Sequence, residues 1–179
     1  MSGTSKMAKR LTVKEMLLFT MCAVIVFACK TALAALPNIE LVTFLLIIFS
    51  SVIGIRTIYI VFVYVMLEII LYGMGFWVCG YLFLWPFLVC LTVLLKEKIK
   101  KSNLLRAVIS AIFGFCFDLF YALIICLISG FWTGVTYFIG GIVFSTVHMI
   151  SNYFIMLLLG EKLYLLFSKM YIKYKLDEW

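Results

Sequence analysis

In a chain of 179 residues with 66% hydrophobic and only 13% charged positions, about half the charge of a soluble domain is missing. A soluble globular class is therefore excluded, and one membrane domain fills nearly the whole length. The net charge of +7 does not point to nucleic acid, because fourteen of the fifteen Lys and Arg residues fall into four clusters. These are Lys6/Lys9/Arg10/Lys14, Arg56, Lys96/Lys98/Lys100/Lys101/Arg106 and Lys162/Lys169/Lys173/Lys175. The connections Leu36–Glu40, Gly73–Gly80 and Ile128–Gly141 contain none. Alternation of this kind is the positive-inside pattern for an even number of spans.

The expected fold is an all-α integral membrane bundle of six helices with both termini cytoplasmic. Residues 1–12 form a basic cytoplasmic start, 13–167 the single membrane domain, and 168–179 a basic cytoplasmic tail. The first helix is expected over Val13–Leu36, stopped by Pro37-Asn38. Its basic start and Ala32-Leu33-Ala34 imitate a signal peptide, but the apolar run is too long and Lys30 interrupts it. The second helix is expected over Ile39–Gly54, short of a full span. Arg56 marks the inner turn and the third helix returns over Thr57–Tyr72. Gly73-Met74-Gly75 breaks the pattern, and the fourth helix follows over Gly80–Leu95, with Pro86 tolerated inside it. The basic stretch Lys96–Arg106 is the largest inner loop, and the fifth helix covers Ala107–Leu127.

The apolar run Phe131–Phe167 is too long for one span. Counting about 20 residues back from Lys162 starts the sixth helix near Gly140-Gly141. Phe131–Ile139 then reads as an outer loop or interfacial cap, with Trp77, Tyr81, Trp132 and Tyr137 at the level of an aromatic belt. Small residues recur four apart at Ala28/Ala32, Ala107/Ala111 and Ser110/Gly114, a spacing that lets helices approach closely in lipid.

Ionisable groups inside a span are costly and so are functional candidates. They are Lys30, Glu40, Glu68, Asp118 and His148. Lys30 stands roughly 24 Å above Lys14, Asp118 and Glu68 roughly 18 Å above Arg106 and Arg56, and His148 roughly 21 Å above Lys162. All are expected in the outer half, suggesting an outward-facing pocket over an apolar plug. Lys30 pairing with Glu40 or with Glu68 to hold helices together is the alternative. Ser145, His148 and Asn152 share one stripe.

Six cysteines form no CxxC and have no His/Cys ligand spacing, so neither a metal nor a disulfide is expected. No phosphate loop, nucleophile elbow or HExxH is present. No cofactor is expected and no catalysis; a small membrane enzyme using His148 and Asp118 is the least favoured class.

Three segments carry a resemblance: Lys30–Val42 (KTALAALPNIELV), Tyr72–Trp77 (YGMGFW) and Ile142–Tyr153 (IVFSTVHMISNY). Together they resemble the S components of energy-coupling factor (ECF) transporters, small six-helix vitamin-binding subunits of ABC-type importers. The last segment departs from the common IPFDxxHxxxNF form, with Val143 for Pro and Ser145 for Asp. The resemblance implies a substrate-binding subunit of the bacterial cytoplasmic membrane, multi-pass and in contact with lipid. Its implied partners are a transmembrane T component and two ATPase subunits, whose ATP hydrolysis would topple the subunit and release cargo inside. The expected pocket residues are Asn38, Glu40, Trp77, Tyr81, Trp85, Asp118, Tyr121, Trp132, Tyr137, His148 and Asn152. Ala28 and Ala32 are the expected docking face. Cobalamin is the first substrate expected from the resemblance, followed by another B-type vitamin or a pyrimidine precursor. A stand-alone secondary transporter or channel is the alternative, and it would need polar groups at both depths.

Overall fold

The computed structural model describes residues 11–174, and every regular element within them is helical. The expectations for residues 1–10 and 175–179 lie outside the described residues. In chain order the elements are α1 (Val13–Ala32), α2 (Val42–Ile53), a 3-10 turn (Gly54–Arg56), α3 (Thr57–Tyr72), α4 (Phe76–Leu94), α5 (Lys96–Ile99), α6 (Asn103–Ser129) and α7 (Phe131–Lys173). Five helical stretches are long and apolar enough to cross a membrane: Val13–Ala32, Val42–Tyr72, Phe76–Leu94, Asn103–Ser129 and Phe131–Lys173. The expected second and third spans both fall within the one stretch Val42–Tyr72, and neither α2 with 12 residues nor α3 with 16 reaches a full span alone.

Local signals set most of the boundaries. At the start of α1, Glu15 N–H donates to Thr12 Oγ1 and Thr12 N–H donates to Glu15 Oε2 at 2.8 Å, a reciprocal capping box. Ser102 caps α6 by accepting from Leu105 N–H at 3.2 Å. Gly54, at φ +83°, lets the chain reverse between α2 and α3, where an L side chain would be strained. The reversal is visible in what each end touches. Val42, at the start of α2, lines a cavity with Lys30, and Lys30 pairs with Glu68 near the end of α3. Ser51–Ile53, at the end of α2, instead line a cleft with Lys96 and Tyr171. Both ends of the described chain lie on that side, since Glu15 pairs with Arg56 and α7 finishes beside Lys96.

Two boundaries differ from expectation. α7 does not begin near Gly140-Gly141; it runs unbroken for 43 residues from Phe131, about 65 Å. Phe131–Ile139 is therefore helix, not a loop, and residues 168–173 continue the last helix instead of opening a tail. In addition, the loop expected at Lys96–Arg106 holds the short α5, and α6 starts at Asn103.

The core is dry and apolar where α2, α3 and α4 meet, with Leu46, Ile47, Ile48, Ile60, Val61, Leu88 and Val89 all fully buried. The exterior is apolar too: Leu17, Val24, Phe83, Phe87, Leu123, Leu127, Val143 and Leu158 are exposed. Such a surface suits lipid and not water. In lipid, packing and polar pairs hold helices together rather than apolar burial. α6 and α7 pack along most of their length through small residues. A Cβ at Gly134 would stand 2.6 Å from the Ala122 carbonyl oxygen and 2.1 Å from Cys126 Sγ, so only glycine permits that approach. Ala107, Ala111, Ser110 and Gly114 are likewise buried, whereas Ala28 and Ala32 are exposed on α1.

Buried charge occurs at both ends of the bundle, which corrects the expectation of one polar depth. At the basic end Glu15, 2% exposed, pairs with Arg56. There too Arg106 is fully buried, donating to the Ile99 carbonyl at 3.1 Å, pairing with Glu161 and lying 4.6 Å from the Tyr164 ring centroid. Charges that read in sequence as solvated boundary markers are drawn in because burial of a guanidinium demands several partners.

Candidate functional site

At the end opposite the basic clusters, the segment 33–41 folds over the bundle and closes a cavity of about 240 Å³. Asn38 accepts the left-handed conformation there, at φ +57°, which asparagine tolerates better than most residues. Its carbonyl receives a hydrogen bond from Ser151 Oγ at 3.1 Å, which ties the segment to α7.

Glu40 has two tasks. Its Oε2 accepts from Thr43 N–H at 2.9 Å, capping the start of α2. Its Oε1 lies 3.1 Å from His148 Nε2; a carboxylate only accepts, so Nε2 carries the proton. Burial raises the Glu40 pKa, but the His148 hydrogen bond and charge, with Thr43, bring it below the ordinary carboxylate value. Lys30 pairs with Glu68, not Glu40, and stands 4.5 Å from the Tyr72 ring centroid. Of the two pairings the sequence left open, the structure has the second.

Asp118 on α6 accepts from Ser145 Oγ at 2.7 Å through Oδ2. It lines the 240 Å³ cavity and also a second cleft of about 300 Å³. Tyr81 and Phe117 are shared by the two in the same way. Aromatic rings continue through both: Tyr81 lies 5.1 Å from Trp77 and 5.5 Å from Trp85, while Phe117 lies 5.7 Å from the His148 ring. Tyr121 O–H donates to the Trp77 carbonyl at 2.9 Å, closing the far wall of the second cleft.

The structure brings together Asn38, Glu40, Tyr81, Trp85, Asp118 and His148 in the first cavity, and Trp77, Tyr81, Asp118, Tyr121 and Tyr137 around the second. Two expected residues lie elsewhere. Trp132 is 77% exposed, its ring 5.4 Å from that of Phe131. Asn152 is fully buried in the α6–α7 seam, against Gly114, with neither amide atom hydrogen-bonded. Phe117 and Phe76 join the site beyond those expected, and Lys30, expected as an ionisable group of the outer half, lines the first cavity. The Phe117 signal was its place one residue before Asp118 and three after Gly114, on the face turned toward α4.

What the arrangement offers is a ring-sized slot between aromatic faces, with an ionic rim. Lys30 is the one lysine there, against the carboxylates of Glu40, Glu68 and Asp118. An excess of acceptors favours a ligand edge rich in N–H or O–H donors. Among the described residues no cluster of three metal-ligating side chains occurs. No protein-family model, curated protein or solved structure matches this chain.

Proposed function

We propose that this protein is a substrate-capture subunit of an ECF-type importer, taking a small vitamin or related micronutrient from outside the cell. In this reading the basic end faces the cytoplasm of a bacterial cell, and a T component and two ATPases supply the energy. The observation that carries it is the junction at Tyr81, Phe117 and Asp118. There two clefts meet at the end of the bundle away from the basic clusters, roofed by segment 33–41.

Trp85, Tyr81 and Phe117 would stack on a flat ring, while Asp118 would accept from its polar edge. Clefts of about 240 and 300 Å³ favour a ligand of one or two rings over cobalamin, whose corrin and nucleotide loop outsize both. The dry layer of Leu46, Ile47, Val61, Leu88 and Val89 beneath the site speaks for capture and against a stand-alone channel. The exposed Ala28 and Ala32 on α1 are available as a docking face.

Mass spectrometry of ligand co-purifying in mild detergent tests this directly, followed by thermal shifts with a vitamin panel. A donor-bearing vitamin of one or two rings that raises the melting temperature, and does so less for Asp118→Asn, is the expected result. Transport into liposomes without ATPase partners, or no shift with any panel member, would overturn it.

A further inference from the structure

The basic end carries a further cavity, separate from the capture site. It is a cleft of about 450 Å³ bounded by the last turn of α2, by α5, and by α7 from Tyr164 to Ile172. Lys96 opens α5 and Lys100 caps its end, four residues on, and both line the cleft. Tyr164 and Ser168 present hydroxyls from one stripe of α7, and Ile172 adds an apolar edge. Lys96 is held inward, where a Cβ at Gly54 would stand only 3.8 Å from its Nζ. Among the described residues it has no carboxylate within 4.0 Å. Lys100 has only Glu97, at 3.5 Å, in a largely exposed pair of little strength.

Two neighbouring ammonium groups on one turn repel each other. Burial and the Lys100 charge accordingly hold Lys96 below the ordinary lysine pKa. An anion between them would relieve both effects, and the hydroxyls beside them supply further donors. We propose that this cleft binds a phosphate group at the membrane surface, with Lys96 and Lys100 as its cationic contacts. An anionic lipid headgroup and free phosphate share that chemistry. Ile172 on the rim of the cleft, with exposed Leu165 one heptad before it on the same helix, gives a lipid tail somewhere to lie.

The test uses the full chain, delipidated in detergent, titrated with phosphatidylglycerol or phosphatidylcholine in mixed micelles and separately with inorganic phosphate. Thermal stabilisation is the readout. Wild type should be stabilised by phosphatidylglycerol over phosphatidylcholine, and Lys96→Gln with Lys100→Gln should weaken that response about tenfold. Lys98→Gln with Lys101→Gln removes the same charge outside the cleft and should change it less than about twofold. A Lys96/Lys100-dependent response to inorganic phosphate alone supports the site and assigns it to a soluble phosphate; a response to the lipid alone assigns it to a headgroup. Lys100→Gln by itself, an exposed position, should still give a severalfold loss if the double variant does not fold. Equal losses in the two double variants, or no response in wild type, would overturn the proposal.

Discussion

Removing either partner of the Lys30–Glu68 pair exposes how this bundle is held together. The Glu68 side chain is 1% exposed and that of Lys30 is 26% exposed, so the two deletions are not equivalent. Lys30→Met leaves a carboxylate stranded in a dry site, where an unpaired charge costs about 3–5 kcal/mol. Glu68→Gln strands only the ammonium, which retains partial solvent contact, the Tyr72 ring at 4.5 Å, and a flexible stem that can reach the interface. Its cost should be about 2 kcal/mol, or about 4–8 °C in melting temperature for a chain this long. The double variant Lys30→Met/Glu68→Gln leaves no charge behind and should recover to within about 1 kcal/mol of wild type. Tryptophan-fluorescence melts in one detergent, with all four proteins, give the complete cycle. A Glu68→Gln variant less stable than Lys30→Met, or a double variant carrying the sum of both losses, would refute the asymmetry drawn from burial.

The Glu40–His148 contact gives a pH prediction with a sign. Because the Glu40 pKa in the fold lies below its ordinary value of 4.5, its contribution is present above that pH and is lost as pH falls through the depressed value. His148→Gln removes the leading counterweight to burial while the Thr43 bonds remain, so the depression of the Glu40 pKa should shrink and the acid loss of stability should begin at a higher pH than in wild type; melts from pH 3 to 7 check the shift. Gly134→Val should separate α6 from α7 and cost about 3 kcal/mol, measured as a drop in melting temperature. Ala28→Trp should leave the melting temperature unchanged but weaken co-purification with a T component, whereas Ala111→Trp should destabilise the protein alone. Asp118→Asn should preserve the melting temperature while weakening vitamin binding about tenfold, read by titration calorimetry.

Most of the fold was legible because charge and hydropathy are set by the lipid itself. Arg56 and the glycine breaks located the turn at Gly54–Arg56 and the break at Gly73–Gly75. The start of α7 was not legible, since Phe131–Ile139 is as apolar as the span that follows and no proline interrupts it. Gly140 and Gly141 looked like a boundary, but neither has a neighbour within 4 Å of a built Cβ. They lie in a continuous helix whose backbone bonds are kept because lipid offers no substitute for them. Asn152 was placed in the site on helical spacing from His148. Spacing fixes the stripe but not the depth at which it meets α6, where the absence of a side chain at Gly114 draws the amide into the seam.

The same limit explains why the buried ion pairs at the basic end were unreadable. Glu15, in the first turn of α1, and Glu161, beside Lys162 within α7, sit near lysines, where sequence gives every reason to expect solvated charge. Their partners, Arg56 and Arg106, are the only arginines among the described residues, and each is bound to a buried or facing carboxylate. The lysines nearby are mostly exposed. A guanidinium can satisfy several acceptors at once and stays charged when buried, so arginine fits where a helix end must close dry. Lysine is confined by its strongly hydrated point charge to surfaces or to sites with an anion. Lys30 follows that rule through Glu68, and Lys96 is the half-buried lysine for which no carboxylate partner occurs among the described residues. The division of labour between the two cations therefore separates what braces the bundle from what remains open to bind.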